Sequence, residues 1–153
     1  MAITTSMANS FKKELMDMAT HVSSDVFKIA LIKVGHGGTY NASTTAAGTP
    51  GSGAPTTSNL GTDEAAGTGY TTGGATLTGF SATLQTATGV LDFANATWPT
   101  STISAVGAMI YNSSKSNKVL GVFDFGGTIT STGATFTATM PAVGAGTSLL
   151  RVA

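Results

Sequence analysis

The chain has 153 residues, no cysteine, and a formal net charge of zero from seven basic and seven acidic residues. That length suits one domain with a core of its own. The missing cysteine excludes disulfides and thiolate metal or redox sites, and the balanced charge lacks the basic footprint of a nucleic-acid binder.

Only 9% of the residues are charged against 41% apolar, well under the roughly 25% charge of an ordinary soluble domain. The outer surface is therefore expected to be covered by other chains or kept soluble by hydroxyls rather than ions. Twenty-eight threonines and 20 glycines combine a strand former with a turn and bulge former. The mean hydropathy of +0.23 leaves apolar surface to bury. No apolar run reaches the length of about 18 residues that spans a membrane. The first residues lack the apolar stretch of a secretory leader, so none is expected.

In chain order, residues 10–22 read as a helix. Phe11, Leu15, Met18, Ala19 and Val22 fall on one stripe, with Ser10 as the expected N-cap. The apolar stripe fits either packing on the chain's own sheet or docking on a neighbouring subunit. Residues 25–34 (DVFKIALIKV) read as a central strand, because both alternating faces are largely apolar. Residues 35–60 have almost no apolar periodicity and are built from Gly, Ser, Thr, Ala and Pro. Such text does not build a core of its own. Two readings stay open for it: an arm reaching over a neighbour, or a solvated surface loop.

Residues 61–80 (GTDEAAGTGYTTGGATLTGF) place four glycines around Tyr70 and predict turns leading into a strand. The G-x-G in it has no strand before and no helix after, so it is not a dinucleotide fingerprint. Short strands are then expected at residues 75–86, 89–94, 103–112, 118–125, 134–140 and 147–152. Thr88-Gly89, the polar tip NSSKSN at residues 112–117, Gly126-Gly127, 131–133 and 141–146 are the turns between them. The expected fold is mainly β: an antiparallel β-sandwich or jelly roll forming a single domain over residues 1–153. One N-terminal helix, an N-terminal arm at residues 1–9 and the long loop at 35–60 complete it.

Chemistry is sparse. His21 and His36 have no carboxylate at ligand spacing, which argues against a metal site. Asp63-Glu64 offers too few oxygens for calcium and reads as turn or cap chemistry. Asp92 and Asp124 lie inside strand text as structural carboxylates rather than an acid/base pair. No G-x-S-x-G is present. No enzyme activity, cofactor or metal is expected. Trp98, held extended by Pro99, reads as a core or interface residue. Phe11, Leu15, Met18, Tyr40, Tyr70 and Trp98 are the candidate interaction residues.

The segments GTGYTTGG, GVLDFANATWPTSTISAVGAMIYNSS and KVLGVFDFGG resemble a family of small tailed-bacteriophage virion proteins. In that pattern an opening helix and a D-x-I-K-V-A-L strand precede a G-T-G-Y-x-x-G-G loop, a Trp segment, an A-x-I-Y strand and a D-F-G strand. Residues 25–31 match the first strand and residues 67–74 the loop. Asp92, Trp98, Thr102, Ile103 and Ala105 match the Trp segment. Ala108, Ile110 and Tyr111, then Asp124, Phe125 and Gly126, match the last two strands. Residues 35–60 depart from the pattern. The resemblance implies a head decoration (cement) or other minor virion protein and brings no catalytic residues. The expected partners are the major capsid protein, or tail proteins, and further copies of the chain as a dimer or trimer. The expected place is the capsid exterior, after assembly in the host cytoplasm. A tail or tail-tip component and a carbohydrate-binding module of a host-recognition appendage are the alternatives.

Overall fold

A computed structural model describes residues 1–17 and 20–152. In chain order it holds β1 (Ser6–Met7), α1 (Asn9–Met16), β2 (Phe27–Lys33), a 3-10 turn (Gly61–Asp63), β3 (Ala75–Thr76) and β4 (Ser81–Gln85). β5 (Thr88–Asp92), β6 (Ala96–Asn112), β7 (Lys118–Ala138) and β8 (Leu150–Val152) complete it. The protein is mainly β, with two antiparallel sheets and one short α-helix among the described residues, as its strand and turn chemistry predicts. The larger sheet has the order β1-β7-β6-β2-β3 and the smaller β4-β5-β8.

β2 is buried along most of its length. Ile29, Ala30, Leu31 and Ile32 are all within 2% of full burial, and β6 and β3 flank the strand. Burying each such aliphatic side chain contributes about 1.5–3 kcal/mol, which explains why its text is apolar on both faces. β6 and β7 form a long hairpin whose register runs from Asn112↔Lys118 to Ala96↔Ala138. Its tip is the NSSKSN segment, where Ser116 and Asn117 turn with φ of 53° and 56°. The buried apolar residues other than Val90 form one cluster, which Leu91 and Leu150 join from the smaller sheet.

Several boundaries differ from expectation. The helix runs over Asn9–Met16 rather than 10–22, and its N-cap is Ala8, not Ser10. Backbone contacts replace the side-chain cap: Ala8 N–H donates to Leu120 O at 3.0 Å and Asn9 N–H to Ala42 O at 2.8 Å. The predicted stripe is not the buried face either. Phe11 and Glu14 are the buried pair of the helix, whereas Leu15 and Val22 are 39% and 43% exposed.

The strand expected over 75–86 is two. After β3 the chain leaves the larger sheet, with Leu77 N–H bonded to Phe27 O and Ala94 N–H to Thr78 O, and β4 joins the smaller one. Conversely, the strands expected at 118–125 and 134–140 are one. The predicted turns at Gly126-Gly127 and 131–133 lie within β7, as irregularities in its pairing with β6. β6 begins at Ala96 rather than 103 and carries Pro99. That residue falls where the register shifts between Trp98 and Ser101, a bulge where no ladder N–H is needed.

The N-terminal arm expected at 1–9 is docked. β1 pairs with β7, and Thr4 N–H donates to Tyr40 O while Tyr40 N–H donates to Ala2 O. Residues 35–60 are anchored at several points, while residues 51–54 and 56–58 are exposed. Tyr40, Thr44, Ala47 and Leu60 within them have no exposed surface.

Candidate interaction surfaces

Residues 35–64 are held by a carboxylate and a ring. Asp63 Oδ2 accepts from Gly38 N–H at 2.7 Å, Gly37 N–H at 3.0 Å and Tyr40 O–H at 2.8 Å, and Oδ1 accepts from Gly37 N–H at 2.9 Å. Burial opposes its charge, but the Gly37 and Gly38 amides, then Tyr40 and Lys33, outweigh that and hold its carboxyl below the usual range. The Tyr40 hydroxyl is pushed far up by burial and by Asp63. Asn59 closes the outer turn, accepting from Thr49 N–H and donating to Ser52 O and Ala54 O.

The neighbouring carboxylate behaves oppositely. Glu64 accepts from Tyr70 O–H at 2.8 Å and Gly73 N–H at 2.7 Å, yet burial wins and raises its pKa. The GTGYTTGG segment fits because it has no side chains where it crosses the sheet. At Gly67 (φ +147°) a Cβ would collide with Thr102 O, and at Gly74 (φ +75°) with Ile29 O. The segment thereby lays Tyr70 across β2, where its hydroxyl accepts from Leu31 N–H at 3.0 Å. Its ring stacks on Trp98 with centroids 5.9 Å apart.

A second polar cluster ties α1 to the hairpin tip. Glu14 receives Lys118 Nζ at 2.5 Å and His21 Nε2 at 2.7 Å. His21 Nδ1 lies 2.9 Å from Asn112 Nδ2, which also donates to Asp25 Oδ2 at 2.7 Å. Burial opposes the Glu14 charge, but the bonds from Lys118 and His21 prevail and its pKa is lowered. Asp25 is likewise lowered against burial, by Asn112 first and then by Val22 N–H and Lys115.

Of the candidate interaction residues, Phe11, Tyr40 and Trp98 are interior, at 2%, 0% and 4% exposure, and offer no contact surface. A chain with only 7% aromatics uses these rings to fill its core. Tyr70 is half-buried. Leu15 is exposed, and Met18 lies outside the described residues. The five described ones do not converge on one patch.

Two surfaces remain open. One is an apolar groove of about 380 Å³ between α1 and the smaller sheet, lined by Leu15, Leu84, Leu91, Leu150 and Val152 among others. The other is β7 beyond β1. Among the described residues its only strand partner past Val122 is β6, and residues 126–135 are exposed except Ser131. No charged residue occurs from Phe125 to Leu150. Threonines and serines of both strands lie along this part of the hairpin, with Ser104 and Thr130 hydroxyls 3.1 Å apart.

Asp92 and Asp124 each accept from a backbone amide. Asp92 Oδ1 accepts from Leu149 N–H at 3.1 Å, and Asp124 Oδ1 caps Gly126 N–H at 2.8 Å. Among the described residues no group of three or more His, Cys, Asp or Glu side chains is gathered as a metal would need. The uncapped β7 edge and the Glu14 cluster were missed by sequence reasoning, whereas Asp63 does cap backbone amides, those of Gly37 and Gly38. The adjacent Gly37-Gly38 pair, a ready source of convergent amides, marked where the partners of Asp63 lie. No family model, curated protein or solved structure matches this chain.

Proposed function

We propose that the chain is a structural component of a tailed-phage virion, serving as a head decoration protein. It binds the major capsid shell, stabilises it, and associates with its own copies as a dimer or trimer. The observation that carries this reading is the open edge of β7 from Phe125 on: a charge-free, hydroxyl-rich stretch whose strand partner among the described residues is β6 alone. Proteins that stay apart blunt such edges with lysine, proline or a covering element. Here the edge offers backbone donors and acceptors to a strand of another subunit. Many copies on one shell need only modest affinity each.

A tail component is the second reading, favoured by the same edge, since sheet pairing between copies also closes rings. The carbohydrate-binding alternative is the weakest. None of the exposed large apolar side chains among the described residues is aromatic, so a stacking platform for a sugar is missing.

Electron cryomicroscopy of purified particles, with quantitative mass spectrometry, tests the proposal. Density for this chain on the outer shell at near-capsid copy number is expected. A handful of copies on the tail would shift the reading to the second one, and absence from the particle would end both.

A further inference from the structure

We propose that Glu14, His21, Asn112 and Asp25 form a proton-operated latch, closed by a neutral His21 imidazole and opened when that imidazole takes a proton. The argument rests on hydrogen-bond direction. Asn112 Oδ1 accepts from Ser114 N–H at 3.0 Å, and Asn112 Nδ2 donates to Asp25 Oδ2 at 2.7 Å. Turning the amide over would set its oxygen against a carboxylate and its NH₂ against an N–H, so its orientation is fixed. The same NH₂ lies 2.9 Å from His21 Nδ1. Nδ1 must therefore accept, and the proton sits on Nε2, which donates to Glu14 Oε2 at 2.7 Å.

A second proton on the ring would point at the Asn112 NH₂, donor against donor. The charges around the ring come from every element packed there. Glu14 of α1 and Asp25 of the 20–26 segment favour a cation, while Lys118 of β7 already neutralises Glu14 and Lys115 of the tip lies 3.9 Å from Asp25. Lys13 and Asp17 pair with each other on the exposed side of the helix. A proton on Nδ1 would thus face no acceptor, only the Asn112 NH₂. Protonation is relieved when His21 leaves Asn112. That movement breaks the His21–Glu14 link and withdraws the ring that packs on Phe11 at 5.1 Å. The helix end and residues 20–26 then part from the hairpin tip.

The test is carried out on the full chain between pH 8 and 5, the range in which imidazoles titrate. Nitrogen NMR of the imidazoles at pH 8 is expected to show the Nε2–H tautomer for His21. Amide exchange, corrected for its intrinsic pH dependence, is expected to lose at least tenfold protection in α1 and residues 112–118 at pH 5, with far-UV circular dichroism unchanged. His21→Gln should abolish that response and His36→Asn should leave it. An Nδ1–H tautomer at pH 8, protection that does not change with pH, or a response that survives His21→Gln would each overturn the latch. The tautomer measurement needs no variant to fold.

Discussion

Residues 37–62 and residues 125–138 are alike as text: both are rich in glycine and threonine, and neither contains a charged residue. Their fates are opposite. The first folds onto the sheet and buries Tyr40, Thr44, Ala47 and Leu60. The second forms most of β7 and leaves residues 126–130 exposed. The difference lies in what anchors each. The first has one large ring and a carboxylate just beyond its end, Asp63, whose oxygens collect two glycine amides and the Tyr40 hydroxyl. The second has Phe136 against Trp98 at one end and only β6 alongside in the middle. A few buried groups fold a low-complexity segment that its composition would leave loose.

Removing the anchor should break the contrast most severely. Tyr40→Ala deletes a fully buried ring with two acceptors on its hydroxyl and is expected to cost about 3–5 kcal/mol. Urea denaturation would measure it, and limited proteolysis should show new cleavage within residues 37–62. Asp63→Asn is expected to cost about 1–3 kcal/mol at pH 7, because the amide keeps one oxygen for Gly38 and Tyr40 but turns an NH₂ toward the Gly37 N–H. The Asp63 carboxyl is lowered in the folded state. Its contribution is therefore present above the unfolded carboxylate's value of about 3.9 and is lost as pH falls through the lower folded value. Denaturation curves of wild type and variant should converge below about pH 4.

Glu64→Gln should do the reverse. The Glu64 pKa is raised by burial, so its effect favours folding at low pH and fades as pH rises through the folded value. The glutamine keeps an oxygen for Tyr70 and Gly73 without the buried charge. It is expected to stabilise at pH 7, with the gap to wild type closing near pH 4 in thermal melts. Thr132→Lys, on the exposed edge, should change stability by less than about 0.5 kcal/mol. It should still weaken particle binding or self-association, because a lysine on an open edge opposes strand pairing. A variant that decorates particles at full copy number would remove the edge from the proposal.

Much of the fold was legible from the residues. The central strand at Phe27–Lys33 announced itself by apolar residues on both alternations, and NSSKSN marked the hairpin tip. The site was far less legible. Aromatic residues flagged as contacts became core, since rings are scarce here and burial claims them first. The helix stripe misled because Glu14, a charged residue, is buried by partners as distant as Lys118.

What the sequence by itself determined is the class of structure and the chemistry it lacks. Threonine and glycine dictate strands and turns, and the missing cysteine removes thiol chemistry. Tertiary structure alone decided three further matters. It joined two expected strands into β7, split another between two sheets, and sorted two similar segments into one folded and one open. The physical reason is that a period-two pattern reads the same on either side of a bulge, while the partners that decide burial lie far away in the chain. Gly37 waits for Asp63, Tyr70 for Leu31, and Asp25 for Asn112, and no local signal records those meetings.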